Sequence, residues 1–477
     1  MSVNQTTTID LTASNTYTST LPQTHNLRVE ERVAAGKELR KRASRKSQAE
    51  WIPPADRPDP VELLIESSQG RIENLIPIRY GRMAASPFAF YRGAAAIMAS
   101  DLSYTPSTGL SIVICGDCHL LNFGGFATAE RRLIFDINNF DEVSIGPWEW
   151  DLKRLTASFV IAGRANNFAD ADSREAALLA AQSYRQQMAA YANMTVLQAW
   201  YDALDLNEII NNIQDKEHKR FYTKKLQRAT DKSAHEKEFA KLAFIHGDRP
   251  RIIDQPPLIF HTNDIRDNEH HANVERAVAD YLTSLSPEKR LVLSRYQLED
   301  AAFKVVGVGS VGTACGIALF ISGGGDSLFL QFKQARQSVL EPYAGASPYQ
   351  HAGQRVVVGQ RLMQAASDMF LGWYTGAGEF GHHFYVRQLR DVKIKPVVEI
   401  MGAAELKNYA GLCGRALARA HARSADAAVL SGYLGKGTSF EEALADFSVA
   451  YADQNERDHT LLLEAIRSGR IEAEMEA

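Results

Sequence analysis

"FKVVGVGSVGTACGIALFISGGGDSLFLQFKQA", residues 303–335, is the stretch on which the fold turns. Gly307-x-Gly309-x-x-Gly312 follows a strand-like run, and such a triplet serves nucleotides in two ways. In one, the third glycine opens a helix whose N-terminus holds a pyrophosphate. In the other, the glycines tip a β-hairpin that lies over the phosphates. Only Thr313 to Gly316 separate Gly312 from "IALFIS", too short a span for a helix of about ten residues. The chain reads instead as strand, glycine turn (Gly323 to Gly325) and strand, with Lys333 at the end. The hairpin reading makes Gly307, Gly309, Ser310 and Gly312 the cover and Lys333 the phosphate contact. A plain antiparallel sheet with loose glycine turns and a surface lysine is the alternative.

A second stretch, "ICGDCHLLNFGGF" (114–126), carries two incompatible spacings. Cys115 and Cys118 form a C-x-x-C, but zinc needs two further ligands, and Cys315 and Cys413 stand alone. A redox dithiol usually opens a helix, whereas here a buried strand, "GLSIVI", precedes a loop. These cysteines read as small apolar fillers. Asp117 and Asn122 lie five apart, the spacing of a carboxylate that takes a hydroxyl proton and an amide that helps hold Mg²⁺. Further carboxylates follow a short strand in "LIFDINNFDE": Asp136, Asp141 and Glu142. His119 is read as orienting the Asp117 loop. Arg79, Arg82 and Arg92 form a candidate anion cluster, with salt bridges inside the fold as the commoner use of such arginines.

The surrounding chain is that of a globular protein. It has 477 residues, 45% hydrophobic and 23% charged, and a formal charge of −4. That balance gives no general reason to expect nucleic-acid binding, and no apolar run is long enough for a membrane span. A cytoplasmic location is expected. Residues 1–30 read as a disordered tail and 31–54 as a basic helical arm. Residues 55–250 read as a helical part containing the 116–122 loop, with a charged helical stretch over 172–245. A linker and helix follow over 251–297, and "GDRPRIIDQPPLIF" (247–260) is the best linker candidate. Residues 298–400 are β-rich, and 401–477 close the chain as helices. Asp151 is expected to cap the helix that begins at "DLKRL".

"GDCHLLNFGGF" with "FDINNFDEVSIGPWEWDLKRL" resembles a widespread, uncharacterised bacterial family over most of the chain from about residue 30. The same motifs are similar to the aminoglycoside and choline phosphotransferase branch of the protein-kinase-like superfamily, over short segments only. That likeness implies Asp117 as the catalytic aspartate, Asn122 as a metal ligand and Asp151 as a structural aspartate. Two departures follow. The glycine loop and Lys333 come after the catalytic loop, which implies a circular permutation, and "LCGRALARAHARS" (412–424) resembles the helix that precedes that loop. The metal aspartate of the family falls on Asn139, so Asp136, with Asp141 nearby, is expected to serve. Glu341 is the nearest glutamate for Lys333, though Pro342 argues against a long helix there.

The expectation is an α+β, two-lobed protein-kinase-like fold, circularly permuted, with extra helices. The expected reaction is ATP- and Mg-dependent phosphoryl transfer to a hydroxyl of a small molecule or protein. Asp117 acts with His119 beside it, Asn122, Asp136 and Asp141 take the metal, and the glycines with Lys333 take the nucleotide. The alternatives are a non-catalytic nucleotide-binding module, nucleotidyl (AMP) transfer, or a C-x-x-C redox protein. The acceptor and the oligomeric state are not legible.

Overall fold

A computed structural model describes residues 26–230, 239–247, 249–256, 258–261, 268–305, 309, 311–376, 381–389 and 393–475. The tail up to residue 25, and Gly307 and Ser310 of the glycine loop, lie outside the described residues. The chain is mixed α+β with several antiparallel sheets, as the coarse reading expected. Among the described residues, no helix is long and apolar enough to cross a membrane.

The first group of strands frames the 116–122 loop. β1 (Ser111–Ile114) pairs antiparallel with β4 (Ser144–Pro147), while β2 (Phe123–Ala127) and β3 (Leu133–Ile137) form a hairpin between them in sequence. β1 is a β-branched run and is buried on both sides, which suits its place between helices. β5 (Leu204–Asp205) pairs with β3. Helix Trp148–Ala165 starts directly from β4 and packs on the long helices Asp170–Tyr191 and Ser439–Arg467. Trp148 sits at the centre of that bundle, stacked near Tyr184 and Phe440 and edge-on to Tyr433. Helix Ala403–Ala422 runs along Asp170–Tyr191 and closes the same core.

The expected linker folds as strands. β6 (Ala243–His246) and β7 (Arg249–Ile252) form a hairpin, and β8 (Ile259–Phe260) joins the edge of the main sheet. Pro250 falls on this exposed hairpin, where a missing N–H is tolerated.

β9 (Tyr296–Lys304), β10 (Cys315–Ser322) and β11 (Ser327–Ala335) are consecutive antiparallel neighbours, with the glycine loop between the first two. β12 (Gly372–Thr375) and β13 (His383–Gln388) complete the six-stranded sheet, and β14 (Lys393–Ile394) crosses to pair with β2. Strand alternation decides which residues of β11 face the cleft. Leu328 and Leu330 pack with Tyr281 and Leu285 of helix Asn268–Thr283 and its C-terminal turn, so Gln331 and Lys333 point to the opposite face.

The basic arm is used for packing. Helix Val29–Glu38 lies against helix Ala427–Leu434 so closely that a Cβ at Gly36 would meet the Val429 carbonyl oxygen at 1.9 Å. Arg40 donates to the Tyr433 carbonyl at 2.9 Å, and Arg32 pairs with Asp426 at 3.2 Å.

Candidate active site

A cleft of about 640 Å³ lies between the β9–β13 sheet and the 116–142 segment. Asp117, His119, Asn122, Asp141, Glu142, Gly309, Lys333 and Arg387 all line it. The Lys333 ammonium reaches the Asp141 carboxylate at 2.6 Å across 192 positions of sequence. The two stretches singled out from sequence therefore share one cavity.

The 116–122 loop is held from below. Asp151 accepts from the backbone N–H of Cys115 at 2.7 Å and of Gly116 at 2.8 Å, and its Oδ2 lies 3.2 Å from Nε2 of His421. It lies inside the first turn of helix Trp148–Ala165, not at the cap. It is needed by the loop, because two buried N–H groups would otherwise lack an acceptor. Gly116 has φ +80, and a Cβ there would meet the Glu142 carbonyl oxygen at 2.5 Å, so glycine is required.

Asp117 is clasped by Arg154, with Nη2 at 2.6 Å and Nε at 2.8 Å from Oδ1. Burial pushes this carboxyl up, but the Arg154 charge, helped by His119, outweighs it and holds it below the ordinary aspartate range. Arg154 is itself fixed by the Tyr91 carbonyl at 3.0 Å. His119 accepts the Leu121 N–H on Nδ1 at 3.2 Å, which leaves its proton on Nε2, 3.8 Å from Asp117 Oδ2. Burial, opposed by Asp117 and helped by the charges of Arg154 and Arg92, pushes its pKa down to about 3, so His119 is neutral and orients the loop. Asn122 donates Nδ2 to the Asp117 carbonyl at 2.7 Å, leaving its side-chain oxygen as the ligand atom.

Asp136 is not part of the cleft. It is fully buried, with its oxygens 2.7 and 2.8 Å from Arg419 and further N–H bonds from Ile137 and Ala365 at 2.8 Å. Strand alternation turns it into the core, and its charge is spent there. Asp141 takes the cleft position expected of it, with Lys333 on Oδ2 and the Tyr385 hydroxyl on Oδ1 at 2.6 Å. Burial raises its pKa, and Lys333 and Tyr385 more than reverse that. The donor set that fits a divalent cation beside phosphates is therefore Asn122 and Asp141, without Asp136.

Glu341 does not partner Lys333. It accepts from Ser338 N–H at 3.1 Å and Gln337 Nε2 at 3.1 Å. Arg355, on helix Ala352–Met363, instead ties the acidic loop by donating to the carbonyls of Asp141 at 2.8 Å and Val143. The Cys115 and Cys118 thiols come near Asp151, but Asp151 is already engaged. Burial pushes Cys118 up to about 11 and Cys115 higher still, so neither is poised as a thiolate. Arg79 is buried on neutral acceptors, Ser68 Oγ at 2.7 Å and Gly93 carbonyl at 3.2 Å, rather than in a salt bridge. Sequence reasoning missed Arg154, Tyr385, Arg387 and Arg71. Arg154 was findable, because it lies three residues after Asp151 on one helix face.

Residues 71–465 match the family model described as "Uncharacterized protein conserved in bacteria (DUF2252)". The chain belongs to that family. The DUF2252 match starts at Arg71 and takes in every residue of the cleft described above except Ser67. No curated protein and no solved structure matches the chain.

Proposed function

We propose that the protein is an ATP- and Mg²⁺-dependent phosphotransferase acting on a hydroxyl, with a kinase-like two-lobed fold in permuted chain order. The carrying observation is the convergence of Asp117, Asn122, Asp141 and Lys333 on one cleft, with Lys333 and Asp141 in contact at 2.6 Å. The sheet supports the same reading: strand, glycine loop, strand, then a third strand bearing the lysine. Asp117, held ionised by Arg154, accepts the hydroxyl proton. Lys333 and the glycine-loop backbone hold phosphate oxygens, and Asn122 and Asp141 hold the metal. Magnesium nucleotide, when bound, supplies the phosphoryl group and neutralises its developing charge.

Asn139, an amide where the phosphotransferase likeness places a metal-binding carboxylate, is the feature that favours a non-catalytic binding module. It lines the cleft, but the nearby Asp141 offers a carboxylate whatever stands at 139. The test is calorimetric titration of ATP with and without Mg²⁺, followed by ADP release in the presence of candidate acceptors. Mg²⁺-dependent binding that Asp141→Ala weakens and Asp117→Asn spares supports transfer. Release of pyrophosphate with AMP attached to a partner would replace it by nucleotidyl transfer, and no Mg²⁺-dependent binding would refute both.

A further inference from the structure

Four arginines, Arg71, Arg79, Arg92 and Arg336, line the end of the cleft beside Asp117 and the glycine loop. Among the described residues none of them makes an ion pair with a carboxylate. Arg71 ends on the carbonyls of Ser67 at 3.1 Å, Gly309 at 2.9 Å and Val311 at 2.5 Å. Arg336 ends on those of Ser67 at 3.1 Å and Gln69 at 2.5 Å. These neutral acceptors satisfy N–H groups without supplying negative charge, and the one carboxylate that acts on both Arg71 and Arg336 is Glu142, across the cleft. Burial, then Arg79 and Arg336, push the Arg71 pKa far down. A chain of net charge −4 has placed concentrated positive charge here, where buried cations normally find anions.

Arg92 differs from the other three. It stands at the end of helix Pro87–Gly93 and makes no hydrogen bond among the described residues, and its Nε is buried without a partner. The carboxylates that act on it are Asp117 and Glu399. It reaches the cleft from the helical side, where Asp117 acts on it, whereas Lys333 comes from the sheet.

We propose that Arg92 anchors an oxyanion, carboxylate or phosphate, carried by the acceptor, so that the substrate class is a hydroxyl compound bearing a negative group. This rests on the phosphotransferase reading. A guanidinium offers two parallel N–H donors to such a group and fixes the molecule while its hydroxyl meets Asp117. In transfer, the hydroxyl oxygen bonds to the γ-phosphorus and the bond from that phosphorus to the bridging oxygen breaks. The electron pair leaves on ADP, and the hydroxyl proton passes to Asp117. The oxyanion held by Arg92 is unchanged.

The experiment uses full-length protein saturated with Mg²⁺ and adenylyl imidodiphosphate, which fills the γ-phosphate position. Inorganic phosphate and formate are then titrated calorimetrically into wild type, Arg92→Ala and Arg92→Lys. Arg92 has no bonds to lose, so Arg92→Ala is expected to melt with the wild type. Expected results are binding of at least one anion to wild type, weakening on the order of tenfold or more in Arg92→Ala, and partial recovery in Arg92→Lys. Nucleotide affinity should stay within about twofold throughout, well inside one tenfold step of 1.4 kcal/mol. Neither anion binding, or equal binding to Arg92→Ala, overturns the inference and leaves the phosphotransferase reading intact. Joint loss of nucleotide and anion affinity also overturns it, because Arg92 then belongs to the nucleotide phosphates. Wild type that fails to bind nucleotide removes the parent reading and the acceptor assignment together.

Discussion

On the wall built from residues 110–165, Asp117, Asp136 and Asp151 are each met by a charge or N–H group held in place inside the core. Arg154 serves Asp117, Arg419 serves Asp136, and Asp151 receives two loop N–H groups and faces His421. The opposite wall and the arginine end are different. There Arg71 and Arg336 finish on neutral carbonyls, and the carboxylate that Lys333 reaches, Asp141, remains 23% exposed on its loop. Asp136 and Asp141 sharpen this contrast, because they stand five residues apart and have opposite fates. The first is a structural charge whose loss would strand Arg419. The second is an exchangeable charge whose present partners a ligand could replace. One wall is prearranged, and the other is left with charge to spend on something bound.

Stability measurements give the largest expected break between them. Removing one member of a buried ion pair costs about 3–5 kcal/mol, so Asp136→Ala should lower the unfolding free energy read from urea titration by that amount or fail to fold. Asp141→Ala should cost less, about 1–3 kcal/mol, because it leaves Lys333 without its carboxylate at the rim of a cleft that water can enter. Equal losses in the two variants would erase the distinction. Asp117→Asn should reduce turnover by about 10²- to 10⁴-fold with nucleotide affinity nearly unchanged, read from ADP release beside calorimetry. Asp141→Ala should weaken only the Mg²⁺-dependent part of ATP binding, on the order of tenfold.

Acid titration probes the prearranged wall through Asp117 and His119. The folded Asp117 carboxyl titrates below its unfolded value of about 3.9, and between those values the unfolded chain holds more protons. Its stabilisation is therefore complete above about pH 4 and is lost as pH falls through the lowered folded value. His119, neutral down to about 3 when folded, acts in the same direction, with stability declining from about pH 6.5 downwards as the unfolded ring gains its proton. Activity between pH 5 and 8 should show no inflection from His119, and a bend near 6.5 that disappears in His119→Asn would make it the base. The smallest effect is expected from Cys118→Ser, with turnover within about twofold of wild type, since a buried thiol titrating at about 11 does no chemistry at neutral pH.

Local spacing carried the reading of this molecule as far as it could. The hairpin around Gly312 and the lysine on the third strand followed from the four residues between glycine and strand. The Asp117–Asn122 pairing followed from one loop. Asp136 was misread because the residue that neutralises it, Arg419, is 283 positions away, and strand alternation alone does not name a partner. The strands over 243–260 were hidden by prolines that in other contexts mark a linker. Helix Ala352–Met363 went unnoticed between glycine-rich turns, and with it Arg355. Long-range charge pairing, rather than local propensity, is what single-sequence patterns did not supply.

The Lys333–Asp141 contact also sets an order of events on the ribosome. The acidic loop emerges 192 residues before its cation, a delay of roughly 10–40 s at about 5–20 residues per second. Arg419 and His421 come later still, so the nascent 110–165 segment spends that interval without the partners of Asp136 and Asp151. A chain cut before residue 403 should leave residues 110–165 protease-sensitive however long it is allowed to fold.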